Sequence, residues 1–223
     1  MSQELTSPSL TLFADANQTV NYRRDTHNYI TQVFAQELPA IRTGLFNVHM
    51  SQGIIIQPHW HTNVTELVFL IHGEVITSVF NPFTQQLMTY HLKPGQVSEF
   101  PKGWFHWIVA LTNDVHLLTL FDQPTPDIVY GSDFLRFTPK EIMHLAYCIN
   151  MEEYEQAIAP VKESLILGPP PGCQSNAPYQ QLSINPNQAT SPSAYPTQTN
   201  TAYYTNYQTP PQSNHYRPYP YSY

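Results

Sequence analysis

The sequence predicts an all-β barrel, and three observations carry that prediction. Between residues 44 and 121, short runs rich in Val, Ile, Phe, Leu and Thr follow one another without a sustained helical period. Turn residues punctuate the runs at Ser51-Gln52-Gly53, His72-Gly73, Asn81-Pro82, Lys93-Pro94-Gly95, Pro101-Lys102-Gly103 and Thr112-Asn113-Asp114, where Gly, Pro or Asn supplies the geometry. All 16 acidic residues precede Ser164, which confines the globular composition to one continuous stretch. About 167 residues can bury roughly two thirds of the unfolded chain's surface around a single core.

The elements follow in order. Residues 1–43 read as an arm with edge strands, of which Ser9-Leu10-Thr11-Leu12-Phe13 and Tyr29-Ile30-Thr31-Gln32-Val33-Phe34 are the candidates. Residues 44–137 form the barrel. Residues 138–167 hold two short helices: Thr138-Pro139-Lys140-Glu141 offers a hydroxyl cap, a proline at the first helical position and a glutamate three residues after the cap. Asn150 with Glu153 opens the second helix, and Pro160 closes it. Residues 168–223 form a Pro-, Gln-, Asn-, Ser- and Thr-rich tail with nine of the fifteen tyrosines, a composition expected to be disordered. That tail reads either as a solubilising segment or as one that associates through its tyrosines.

Charge narrows the functions. The formal net charge is −7, with −8 on residues 1–167 and +1 on the tail, so no basic surface is offered to nucleic acid. No apolar run of membrane-spanning length and no signal-peptide pattern is present, which leads to an expectation of cytoplasmic synthesis. Cys148 and Cys173 are too few for a disulfide framework. Cys148 is expected to be a small core residue.

The chemistry-bearing residues are histidines. His59 and His61 lie two apart, which in a strand turns both imidazoles to one face. Glu66 follows after enough chain to turn into an adjacent strand, and His106 follows the Pro101-Lys102-Gly103 turn. Three imidazoles and one carboxylate suit divalent Mn, Fe, Co, Ni, Cu or Zn and leave coordination positions open, whereas calcium would require oxygens. His49, His72, His91 and His116 are read as structural, and Trp60, Trp104 and Trp107 as packing aromatics.

These spacings resemble the cupins. From Gly53 the chain reads five residues, His59, one residue, His61, four residues, Glu66, six residues and Gly73, which matches the first germin-type motif. The second motif is matched by Gly95, Pro101, Gly103 and His106, with Ala110 in place of its usual asparagine. The resemblance implies a double-stranded β-helix, or jelly-roll, with His59, His61, Glu66 and His106 as metal ligands and Mn or Fe as the favoured ion. Leu120-Phe121-Asp122 and Phe137-Thr138-Pro139-Lys140-Glu141 extend the similarity to a single domain of the oxalate decarboxylase-like group.

Two departures from that group matter. Its arginine three residues before the first ligand histidine is replaced by Ile56, which removes the bidentate partner of a diacid. Its lid glutamate has no counterpart in Gln123-Pro124-Thr125-Pro126-Asp127, where Asp127 is the remaining candidate proton donor. With Ile54, Ile55, Ile56 and Ala110 near the motifs, the pocket is expected to be more apolar than one built for oxalate. The expected function is decarboxylation or dioxygen chemistry on another small organic substrate, in a homo-oligomer. The alternative is a structural cupin, in a spore coat or similar layer, whose tyrosine-rich tail mediates assembly.

Overall fold

The computed structural model describes residues 6–173; residues 1–5 and 174–223, which hold all nine tail tyrosines, lie outside the described part. Its strands are β1 (Thr19–Arg23), β2 (Tyr29–Val33), β3 (Leu45–Met50), β4 (Ile55–His61), β5 (Glu66–His72), β6 (Val75–Asn81), β7 (Gln86–Leu92), β8 (Val97–Phe100), β9 (His106–Ala110), β10 (Val115–Phe121), β11 (Ile128–Tyr130) and β12 (Leu167–Gly168). Its helices are α1 (Gly131–Phe137), α2 (Lys140–Tyr147) and α3 (Met151–Ile158).

Two antiparallel sheets result. One has the order β1-β2-β3-β10-β5-β8, and the other β11-β4-β9-β6-β7 with β12 beside β4. From β3 to β11 the chain changes sheet at every connection except β6 to β7, which winds it into a jelly-roll. The alternation that makes this work is clearest in β10, where Val115, Leu117, Thr119 and Phe121 are buried and His116, Leu118 and Leu120 are half-buried. Inward residues of both sheets share one core that includes Val48, Val68, Leu70, Val75, Phe100, Ile108, Leu117 and Phe121. Each such side chain contributes about 1.5–3 kcal/mol on burial.

The turns follow from the glycines where the backbone demands them. Gly73 has φ +80°, and a Cβ there would lie 2.8 Å from the Thr112 hydroxyl and 2.9 Å from Val115. No side chain fits that turn.

Four expectations are corrected. Ser9–Phe13 is not a strand, and Leu12 and Phe13 are exposed; the first edge strand is β1, Thr19–Arg23, in which Tyr22 packs against the core while Val20 is exposed. Thr138 does not cap the following helix. It closes α1 instead, its hydroxyl donating to the Phe134 carbonyl at 2.6 Å, and Pro139 is the cap position of α2. Helix α1 itself, on a segment assigned to the barrel, is held by Ser132, whose backbone N–H donates to Gln57 Oε1 of β4. Cys148 is exposed rather than buried and ends α2 in the left-handed conformation. By contrast, Asn150 caps α3 as its sequence suggests, its side chain accepting from the Glu152 and Glu153 N–H groups at 3.0 Å.

No helix among the described residues is long and apolar enough to cross a membrane.

Candidate metal centre

Strand β4 carries His59 and His61 to the inner face of one sheet, and β9 brings His106 into register directly opposite His59. Glu66 begins β5 in the other sheet, paired with Phe121 and Phe100. Three imidazoles from one layer therefore meet a carboxylate from the other. All four residues are at most 4% exposed, and one ligand atom from each lies within 4.8 Å of the rest.

The main chain fixes the orientation of each ring. His59 Nδ1 donates to the Gln57 carbonyl at 2.7 Å, His61 Nδ1 to the Asp127 carbonyl at 2.9 Å, and His106 Nδ1 to the Trp104 carbonyl at 2.8 Å. A carbonyl can only accept, so Nδ1 holds a proton in each ring; a metal ion would take the Nε2 lone pairs, and without one a hydrogen bond from Nε2 to Glu66 requires a second proton on the ring. Those Nε2 atoms converge on one oxygen, Glu66 Oε2, at 2.8 Å from His61, 3.1 Å from His106 and 3.9 Å from His59. Phe100 stacks on the His106 ring at 4.2 Å and Phe121 meets the His61 ring edge-on at 5.2 Å.

The electrostatics follow from this convergence. Burial, with the neighbouring His106 in support, lowers the pKa of His59 to about 3, so its ring is neutral. Burial disfavours the Glu66 carboxylate, yet hydrogen bonds from His106 and His61 outweigh it and hold the group well below the usual carboxylate range. Burial also opposes charge on His61, and the hydrogen bond to Glu66 overrides it, raising this imidazole. A divalent ion would suit the set: three imidazoles and one carboxylate are common ligands of such an ion, and here their ligand atoms lie within 4.8 Å of one another.

A small cavity, with a free volume of about 20 Å³, adjoins the cluster. Its walls include Phe46, Val48, Ile56, Ile128 and Ile166, with Thr119 and Tyr130 as polar members, and no lysine or arginine among the described residues lines it. Burial and the nearby Asp133 push the Tyr130 phenol up to about 12, so it stays protonated. Ile56 thus takes part in the apolar wall as expected, whereas Ile54 and Ala110 belong to the core and Ile55 lines a separate groove beside α1.

Asp127 occupies a different role from the one its sequence position suggested. Its carboxylate is exposed and lies 3.4 Å from the Thr62 hydroxyl, and only its backbone carbonyl reaches the site, through His61. The histidines read as structural stand apart from the cluster: His49 stacks between Tyr29 and His116, His72 bonds the Asp114 carbonyl, and His91 pairs with Glu74. Trp60 and Trp107 pack against Phe105, and Trp104 against Phe83. Thr119 and Tyr130 were not singled out in the sequence. Thr119 left a signal there, as the one polar residue in the inward phase of β10.

Comparison with known proteins agrees with this geometry. The chain is 27% identical over 152 residues to an oxalate decarboxylase of Bacillus subtilis, covering 64% of this chain and 38% of that protein. It is 26% identical over 141 residues to a germin-like protein of Arabidopsis thaliana, covering 58% of this chain and 64% of the relative. The structure of the Bacillus subtilis oxalate decarboxylase at pH 4.6 superposes with a TM-score of 0.59 at 25% identity, over 65% of this chain and 38% of that one. The chain therefore spans well under half of the length of that enzyme. The Cupin family profile matches residues 14–153, and with the jelly-roll and the His–Glu cluster in place, the chain belongs to the cupin family.

Proposed function

We propose that this protein is a metal-dependent cupin holding manganese or iron at His59, His61, Glu66 and His106, and that it acts on a small organic substrate other than oxalate. The observation that carries the reading is the convergence of three Nε2 lone pairs and one carboxylate oxygen in a buried cluster. Acceptor facing acceptor is costly out of water unless a cation or protons intervene. Manganese is favoured because Mn(II) centres are described for the Bacillus subtilis oxalate decarboxylase. Bound here, a divalent Mn or Fe ion would supply Lewis acidity and a site for dioxygen, which serves decarboxylation or oxidation.

The chain's own residues do the rest. The carbonyls of Gln57, Asp127 and Trp104 keep the imidazoles in the ligating tautomer. Ile56, Ile128 and Ile166 exclude water from the cavity, and the absence of a lysine or arginine in its lining argues against a dianion. Elemental analysis of the full chain, purified without a histidine tag, tests the reading: near-stoichiometric Mn or Fe that His106→Ala loses is expected. An ion retained by the variant would overturn the ligand assignment.

One observation favours a second, assembling role. On α2, Ile142 and Leu145, three positions apart on one face, are 50% and 81% exposed, an apolar stripe without cover among the described residues. A second copy of the chain is the occupant this reading expects, in keeping with a homo-oligomer, and residues 174–223 would add association beyond it.

A further inference from the structure

Thr119 is an anomaly in the barrel wall. It is 1% exposed, faces inward between Leu117 and Phe121, and stands in register with Phe46 on one side and Val68 on the other. Its hydroxyl has no hydrogen-bond partner among the described residues. Other buried threonines are satisfied: Thr77 donates to Ser98 Oγ at 3.1 Å, and Thr31 exchanges hydrogen bonds with Asn47. A buried hydroxyl without a partner destabilises the fold, and valine would fill the same space without that cost. The place where it is found is the lining of the cavity beside His59, His61 and Glu66.

We infer that the Thr119 hydroxyl is the anchoring group for the ligand of this cavity, a small monocarboxylate or similar oxygen compound with a single negative charge and an apolar body. The inference rests on the metal reading above and names the substrate class for it. One oxygen of the ligand belongs at the His–Glu cluster, and a second oxygen satisfies Thr119. Of the other walls, Phe46, Val48, Ile56, Ile128 and Ile166 offer apolar surface to the body of the ligand, and Tyr130 adds an uncharged phenol. Asn21, at the exposed mouth, already donates its amide to Gln32 at 2.8 Å. With no basic side chain in the lining, a second carboxylate would lose its hydration without gaining a counter-charge. The free volume of about 20 Å³ admits only a few atoms before the walls move.

The test uses the full chain loaded with Mn(II), compared with Thr119→Val and Thr119→Ser, and acetate and oxalate as probes. Acetate and oxalate affinity is read by calorimetry and by the Mn(II) resonance spectrum, and thermal stability is read on the metal-free proteins. Thr119→Val should keep the wild-type Mn(II) content, melt at the same or a higher temperature, and bind acetate about tenfold more weakly. Thr119→Ser should restore acetate binding, and oxalate should bind wild type no more tightly than acetate. A lower melting temperature for Thr119→Val would show a structural partner for the hydroxyl and overturn the inference. Unchanged acetate affinity in that variant, or a clear preference for oxalate, would overturn it as well. A wild-type chain that takes up no Mn(II) would instead bring down the metal reading beneath it, and is told apart because uptake is measured before any probe is added.

Discussion

His59 is the residue through which pH acts most directly on this fold. Its folded pKa, lowered by burial to about 3, lies below its ordinary value of 6.5. On acidification the unfolded chain therefore takes up a proton first, and stability falls as pH drops from about 6.5 toward 3, by at most about 1.4 kcal/mol per pH unit. Glu66 adds to the loss: its folded value is lowered, so its contribution is present above the ordinary carboxylate range and disappears further into acid. His61 has the opposite sign, since a raised folded value contributes below 6.5 and fades as pH rises through that value. Melting curves of the metal-free protein should show a falling midpoint between pH 6.5 and 4, with a shallower slope in His59→Gln. Metal uptake must also displace the proton shared by His61 and Glu66. Competition with a chelator should accordingly show affinity rising with pH, by about one logarithmic unit per pH unit for each proton released. The convergence of the cluster residues was legible in the sequence in part, because a strand's period of two puts His59 and His61 on one face. The carbonyls that orient them were not, since a backbone acceptor carries no side-chain signature and the one serving His61 lies 66 residues away at Asp127.

At the scale of elements, legibility depended on which force decides each one. Inner strands such as β10 announce themselves through alternation, because burial on one face selects every second residue. β1 does so only faintly, since of its two apolar residues Tyr22 packs against the core and Val20 is exposed, and its ladder with β2 holds it in the sheet. Thr138 shows the competition in one residue: its hydroxyl was read as the start of α2, but the Phe134 carbonyl of α1 claims it. Asn150→Ala should cost about 1 kcal/mol by removing the α3 cap, while leaving metal content unchanged. Gly73→Ala should cost more, of order 1–3 kcal/mol, because it combines positive φ with a blocked Cβ position. Urea titration of the two variants checks both magnitudes and their order.

For the whole molecule, the His–Glu cluster joins the layers, with three ligands on one sheet and Glu66 on the other. Binding at this seam favours the folded state alone, so free metal at about 100 times its dissociation constant should add about 2.7 kcal/mol, and a chelator should remove it. The exposed apolar face of α2 gives a separate expectation: Leu145→Glu should shift sedimentation toward the single chain without altering metal content. Neither the closure of the cavity nor the exposure of α2 was legible beforehand, because both depend on how distant segments meet. The seam also has a consequence for when the metal is chosen. Before the sheets dock, the nascent chain offers only neighbouring imidazoles, such as His59 and His61, a loose chelate with little power to discriminate among cations. Once Glu66 and His106 have closed over the centre, a bound ion would be held by four side chains of which none is more than 4% exposed. A protein loaded during folding would carry the ion abundant where and when its chain folded.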